Sequence, residues 1–383
     1  MKTIPQKITA RLANLHRRFH RLNDLLFGVA TYNLSPKPFA LPPREMIINV
    51  TYWCNSRCVM CNIWQIKPKS ELSYEDWEWI MQDKIFRNIR ALTISGGEPT
   101  MNKDLVRLAE LYIHSMPKLK KLGMITNGFT PEFIIKKIEA IAKLCRKHDI
   151  HFSVSVSVDG VGKMHETIRR IPDGFNKTMK TVQLVSELKQ KYDISLGVGS
   201  LLLRQNLGEY EKTKKWFEER NIPINFQIVG FHETFVNNLE TKKDLDFVTK
   251  QKDALAQVLQ KLAKPTSLFD FRSYYWRDLY DMYVHKKPRT TPCPFQYDQF
   301  VMDSFGDVYY CLSERKIGNV RNRQNSVSQI YYDPKNLAFR KGMTKSSCLK
   351  CNSGCNADYA IARDMKKYLW FRITKKLWPA RSN

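Results

Sequence analysis

Between residues 46 and 262 the chain alternates short apolar runs with longer stretches of helical period. The runs Met46–Thr51, Ala91–Ser95, Leu122–Thr126, Phe152–Val158, Leu196–Leu202 and Ile224–Val229 read as strands. Helical patterns fall between them near 74–85, 103–115, 131–147, 175–190 and 207–219. Strands alternating with helices of this length pair in parallel through right-handed crossovers. Six such units fall short of the eight of a closed barrel, so the expectation is an α/β fold with an open, partial (β/α)6 barrel. Reacting groups in such sheets sit in the loops at the C-terminal ends of the strands.

The nine cysteines are not scattered. Cys54, Cys58 and Cys61 follow the first strand directly, which puts them in the first βα loop. Cys293, Cys311, Cys348, Cys351 and Cys355 form a second group. Cys145 stands alone in an apolar-patterned stretch and reads as a small buried hydrophobe. A chain of this length needs no disulfide staples, and it begins with no secretory signal, so grouped cysteines point to metal or cluster ligation. Three thiolates are an odd set. Structural zinc takes four ligands and an ordinary [4Fe–4S] cluster takes four cysteines. A local trio leaves one position free for something else.

Ser95-Gly96-Gly97-Glu98-Pro99 ends the second strand. Its glycines permit close backbone approach, and the Glu98 carboxylate is expected to aim into the mouth, where it suits an ammonium group. With Thr126-Asn127-Gly128 and Ser157-Val158-Asp159-Gly160, the cysteine loop and this turn resemble the radical S-adenosylmethionine (SAM) superfamily. The resemblance implies that Cys54, Cys58 and Cys61 hold a [4Fe–4S] cluster whose fourth iron is chelated by SAM. The cluster's electron then splits the sulfonium to methionine and a 5′-deoxyadenosyl radical, which abstracts hydrogen from substrate. It also implies that Gly96 and Gly97 approach the methionyl part and that Glu98 lies near its amino group. Met60 would sit beside the adenine, and Ser157 and Arg169 would contact ribose and carboxylate. Asn127 either serves SAM or holds a left-handed turn. His165 reads as a satisfied loop histidine.

In the second group, Phe300–Asp303 and Val308–Leu312 flank a turn and read as a hairpin that carries Cys311. Spacing alone does not choose between zinc and a cluster. The pattern resembles the C-terminal SPASM or twitch extension of radical SAM maturases and dehydrogenases. That implies one auxiliary [4Fe–4S] cluster, held by Cys293, Cys311 and two of Cys348, Cys351 and Cys355.

The resulting division is a basic amphipathic helix (7–27) with a Pro-rich linker in 1–45, the partial barrel in 46–262, and a helical bridge in 263–289. A cysteine-rich auxiliary-cluster domain in 290–357 and a basic aromatic helix in 358–383 follow. Lys and Arg number 63 against 37 Asp and Glu, a net charge of +26 that favours anionic neighbours. Basic residues interleaved with Trp370 and Trp378 suit an anionic membrane surface. The alternative is that both terminal helices pack on the barrel and cover its edge. Nucleic acid is disfavoured for want of a recognition motif. About 45 residues precede the first strand, which disfavours the leader-binding domain of many peptide-modifying relatives. The expectation is therefore a cytoplasmic oxidoreductase or epimerase, peripheral on the membrane, acting on a small or lipid-linked substrate and supplied with electrons by a flavodoxin or ferredoxin. A peptide maturase is the alternative. A non-catalytic electron carrier leaves Glu98 and the glycine turn unexplained. Gln227, His232 and Glu233, at the end of the sixth strand, are the candidate substrate-facing groups.

Overall fold

The computed structural model describes residues 25–374 except 36–37, 67, 69, 248–250, 268–269 and 355, and among these nine strands form one sheet. β1 (Glu45–Asn49), β2 (Ala91–Ser95), β3 (Lys121–Thr126), β4 (His151–Ser157), β5 (Ile194–Leu202) and β6 (Ile224–Ile228) pair in parallel, each with the next. Helices Tyr74–Ile80, Leu105–Ser115, Pro131–Lys147, Gly174–Leu188 and Tyr210–Glu218 fill the connections, as the periodicity requires. A short helix, Lys163–Arg169, follows β4 without a signal in the apolar pattern. Most of the expected helix 7–27 lies outside the described residues.

The two faces of the sheet differ in kind. Leu92, Ile94, Leu122, Met124, Phe152, Val154 and Val156 are buried under the helices with Leu108, Tyr112, Ile134, Ile138 and Val185. Each such side chain contributes about 1.5–3 kcal/mol by leaving water. On the alternate positions Ile47, Thr93, Gly123, Ser153 and Ser195 stand side by side in register, and Ser157 stands beside Gly199. A Cβ on Gly123 would lie 3.3 Å from both Thr93 Oγ1 and Ser153 Oγ. A closed barrel fills this side with branched aliphatics. Here small and hydroxyl side chains keep it roomy.

The sheet also runs across the boundary drawn at residue 290. β7 (Gln299–Asp303) pairs in parallel with β1, and β8 (Asp307–Tyr309) and β9 (Gly318–Asn319) follow antiparallel. The strand order is β6-β5-β4-β3-β2-β1-β7-β8-β9. The hairpin read from the sequence is thus the continuation of the barrel sheet. All five residues of β7 are buried, as a strand covered on both faces demands. Buried Arg340, on helix Pro334–Met343, fixes its start by donating to the carbonyls of Phe295 and Gln299 and to the Tyr331 hydroxyl.

The helical bridge expected over 263–289 is helix Phe271–His285, and helix Lys252–Leu262 precedes it. They build a second core with Tyr210, Phe226, Ile228, Ile361 and Tyr368 beside β6. The last expected helix is also two, Ala357–Arg363 and Met365–Thr374, broken at Asp364. Among the described residues no helix is long and apolar enough to cross a membrane.

At the N-terminal ends of β1 and β7 lies a buried acidic pair. Asp298 accepts from the hydroxyls of Tyr32 (2.6 Å) and Tyr359 (3.1 Å), and Glu45 accepts from Asn356 (3.1 Å). Burial, then the Asp298 charge, push the Glu45 carboxyl from its ordinary 4.5 up to about 7. The folded state therefore holds a proton that the unfolded chain has lost between pH 4.5 and 7. Stability falls as pH rises through that window and is flat above it. Glu45→Gln should remove its part of this slope, leaving what Asp303 and Asp298 contribute, and raise stability at pH 8, by up to about 3 kcal/mol. Urea midpoints at pH 5 and pH 8 check it, and a variant less stable than the parent at pH 8 contradicts it.

Candidate active site

The cysteine loop after β1 is held from five sides. From β2, the Gly97 and Glu98 amides donate to the carbonyls of Thr51 and Trp53, each at 2.8 Å. A side chain on Gly96 or Gly97 would collide with those same carbonyls, and Gly96 has φ +148°. The first demand on these glycines is therefore the approach of the cysteine loop itself. From β3, Asn127 Nδ2 donates to Asn55 Oδ1 at 2.7 Å. From the helix after β4, the Ile168 and Arg169 carbonyls accept from Val59 N (2.9 Å) and Ser56 Oγ (3.0 Å). From the loop after β6, Asn238 Nδ2 donates to Met60 O and Val236 O accepts from Asn62 N, both at 2.8 Å. Glu71 closes the near side, accepting from Tyr52 N, Thr51 Oγ1 and Ser304 Oγ of the β7–β8 turn.

Glu98 corrects the sequence expectation. Its carboxylate is fully buried and turned into the protein. Oε1 accepts from Thr100 Oγ1 (2.6 Å) and Thr100 N (3.2 Å), and Oε2 accepts from Asn127 N (2.8 Å). Thr126 Oγ1 lies within 3.0 Å of both oxygens. Burial raises its pKa and these donors oppose the rise. Lys137 caps the same turn by donating to Thr100 O and Asn102 O. Asn127 does not adopt the left-handed conformation; Gly128 does, with φ +80°.

Arg169 is also engaged within the protein. Its Nε lies 2.6 Å from Asp159 Oδ2, and its Nη1 donates to Cys58 Sγ at 3.7 Å. Burial works against its charge, but Asp159 and Cys58 more than offset this and hold its pKa above the ordinary value. Ser56 Oγ also lies 3.0 Å from Cys58 Sγ. His165 is buried on helix Lys163–Arg169, with Nδ1 accepting from Asp159 N and Nε2 facing Thr178 Oγ1. Burial and Arg169 push it down to about 3, so it stays neutral. Met60 packs among Cys58, Ile168, Leu203 and Val229.

Cys54, Cys58 and Cys61 are free thiols close enough to feel one another's charge, and burial pushes Cys54 and Cys61 up to about 12. A ligand to iron is a thiolate, so the metal and Arg169 must supply the charge that burial takes away. In the second group Cys311 is half-buried; desolvation pushes its thiol up, and it feels Cys293, Cys351 and Cys348, in that order. These four thiols converge at a cavity of about 900 Å³. Cys355 lies outside the described residues. Among the described residues no three His, Cys, Asp or Glu side chains stand close enough to hold a single metal ion. Three thiols in the first group and four in the second, each set within electrostatic reach of one another, are the donor type that an iron–sulfur cluster takes.

The cavity wall includes His232, whose Nε2 lies 3.3 Å from Ser313 Oγ, whereas Gln227 and Glu233 do not line it. Sequence reasoning missed the groups that position this wall. Asp278 accepts from the amides of Thr290 and Thr291 just before Cys293. Arg289 donates to the carbonyls of Cys351 and Ser353. Asn352 reaches Val229 O at the end of β6 (3.0 Å). No motif marks them; only a buried charge beside a cysteine run could have flagged Arg289.

Glu98→Gln should place an amide donor against donors and cost about 3 kcal/mol. Thermal unfolding of the metal-free protein measures this, and an unchanged midpoint contradicts the strut role.

Residues 48–217 match the radical SAM superfamily and residues 293–356 match the SPASM iron–sulfur cluster-binding domain. The molybdenum cofactor biosynthesis protein moc-5 of Caenorhabditis elegans is 28% identical over 186 residues, 47% of this chain and 28% of that protein. The sporulation killing factor maturation protein SkfB of Bacillus subtilis (strain 168) is 27% identical over 146 residues, 38% of this chain and 33% of that protein. The chain thus spans about a third or less of these curated relatives. The solved structure of Streptococcus suis SuiB bound to S-adenosylmethionine shares the fold, with TM-score 0.55 and 14% identity over 92% of this chain and 84% of SuiB. Such domains bind [4Fe–4S] clusters and SAM. The chain belongs to the radical SAM superfamily and carries a SPASM iron–sulfur domain at its C-terminal side.

Proposed function

We propose that this protein is a radical SAM oxidoreductase acting on a small or lipid-linked anionic substrate, which it binds between its two cysteine groups. The observation that carries this reading is the shared wall of the two sites. Loop 230–241 is bonded to the first cysteine loop through Asn238 and Val236. It is bonded to the second through Thr234 Oγ1, which donates to Leu312 O at 2.7 Å beside Cys311. Its Phe231 and His232 line the cavity that Cys293, Cys311, Cys348 and Cys351 border.

In this reading Cys54, Cys58 and Cys61 hold the SAM-binding cluster, and Cys293, Cys311, Cys348 and Cys351 hold the auxiliary one. When bound, the first cluster and SAM supply an electron and a 5′-deoxyadenosyl radical that takes hydrogen from substrate. The chain positions these groups and keeps water away. The open row of Thr93, Gly123, Ser153 and Ser157 leaves space for the nucleoside. The Arg169 charge beside Cys58 favours the reduced state of any cluster ligated there. Neutral His165 holds the Asp159 amide, and Asp159 holds Arg169. Phe231, Met282, Phe295 and Met343 make the cavity wall apolar, and exposed Lys242, Lys286, Lys287, Lys345 and Lys350 lie around it, which suits an anionic substrate with an apolar part. A flavodoxin or ferredoxin is the proposed electron donor.

A peptide-modifying reaction is the second reading. SkfB is named a maturation protein, and SuiB has been solved bound to its precursor peptide.

The test is formation of 5′-deoxyadenosine by the anaerobically reconstituted protein under dithionite. The parent should form it, and Cys58→Ala should lose it by at least about a hundredfold. A fully loaded parent that forms none with lipid-linked, small or peptide candidates contradicts the enzyme reading in favour of an electron carrier. Transfer of deuterium into 5′-deoxyadenosine from a labelled peptide, but not from an anionic lipid, would replace the first reading by the second.

A further inference from the structure

The six most exposed large apolar side chains among the described residues belong to two adjacent segments. Leu26 (57%), Phe27 (58%) and Leu34 (76%) lie on the helical segment 25–34, and Leu369 (52%), Trp370 (69%) and Ile373 (67%) lie on helix Met365–Thr374. The segments meet directly. Asn33 Nδ2 donates to Arg363 O at 2.8 Å, Lys366 Nζ reaches Asn33 O at 3.5 Å, and Gly28 lies against the Arg363 side chain.

Helix Met365–Thr374 has two faces of different purpose. Tyr368 and Phe371 turn inward, with rings 4.8 Å from Phe271 and 4.5 Å from Tyr274. Lys366, Leu369, Trp370 and Ile373 share the opposite face at helical spacing. The inward face already supplies the packing, so the exposed Leu369, Trp370 and Ile373 are not needed for it. Isolated exposed apolar residues are ordinary, but a contiguous group is not.

Charge identifies the occupant. Residues 365–383 contain six Lys and Arg and no Asp or Glu, and residues 1–24 contain six Lys and Arg against the single Asp24. Tryptophan and aliphatic side chains set among Lys and Arg match the boundary between acyl chains and anionic headgroups. A second copy of so basic a chain would meet like charge, and an acidic protein surface would answer the Lys and Arg but not the exposed Trp370 and aliphatic side chains, which a bilayer interface takes as well. We propose that these two segments form a docking face for an anionic phospholipid bilayer, on which the enzyme lies without crossing it. The docking face stands apart from the reaction, and its test reads binding rather than turnover.

The test is co-sedimentation of the full-length reconstituted protein with vesicles of phosphatidylglycerol and phosphatidylcholine, against vesicles of phosphatidylcholine alone. The parent should bind the mixed vesicles and not the neutral ones, and release in high salt. Trp370→Ser with Ile373→Ser should weaken binding at least about tenfold while leaving thermal midpoint and SAM cleavage unchanged. Absence of binding to the mixed vesicles, equal binding to neutral ones, or equal binding by the double variant overturns the proposal. So does a concentration-dependent dimer that the double variant abolishes, since a second copy would then cover the face.

Discussion

One buried carboxylate orders the catalytic end of the sheet. Glu98 sits where β2 ends and accepts from groups at the end of β3, while its own amide donates to the loop that follows β1. Three adjacent strands therefore finish in fixed relation to one another. The cysteine loop inherits that order, because Asn127, held by Glu98, reaches Asn55 beside Cys54. A buried carboxylate is tolerated only when its oxygens are fully met, and here backbone and threonine donors meet them. The arrangement commits the carboxylate to holding the loop.

The same economy joins the two halves of the molecule. β7 lies against β1, so the strand that introduces the first cysteine group and the strand that leads to Cys311 are hydrogen-bonded neighbours. Tyr52 reinforces the pairing, donating to Asp303 at the end of β7 (2.8 Å). Loop 230–241 closes the circuit from the other edge. Two cysteine sites more than 230 residues apart in sequence are thus set on one scaffold and not on two bodies joined by a linker.

Much of this was legible in the residues. The alternation in His151–Ser157 and Ile194–Leu202 marks each strand and also shows its small-residue inner face. The spacing of Cys54, Cys58 and Cys61 after a strand put three thiols in the loop after β1, where they lie, and Cys145 proved to be a buried core residue. What stayed hidden was non-local. Nothing in Gln299–Asp303 says that its partner is Glu45–Asn49, because register across such a span is decided by burial of the whole sheet. A Gly-Gly-Glu-Pro turn announces a carboxylate but not its direction, which Thr126 and Asn127 decide from another strand. The convergence of Cys348 and Cys351 with Cys293 and Cys311 depends on Arg289 and Asp278, whose roles appear only when their helices are in place.

The central claim is that one continuous sheet carries two separate four-iron sites. Iron and sulfide counts on anaerobically reconstituted protein test it most directly, with the parent set beside Cys311→Ala. The account predicts about eight irons per chain for the parent and about four for the variant. About four irons in both proteins, or zinc in place of the second set, would contradict it.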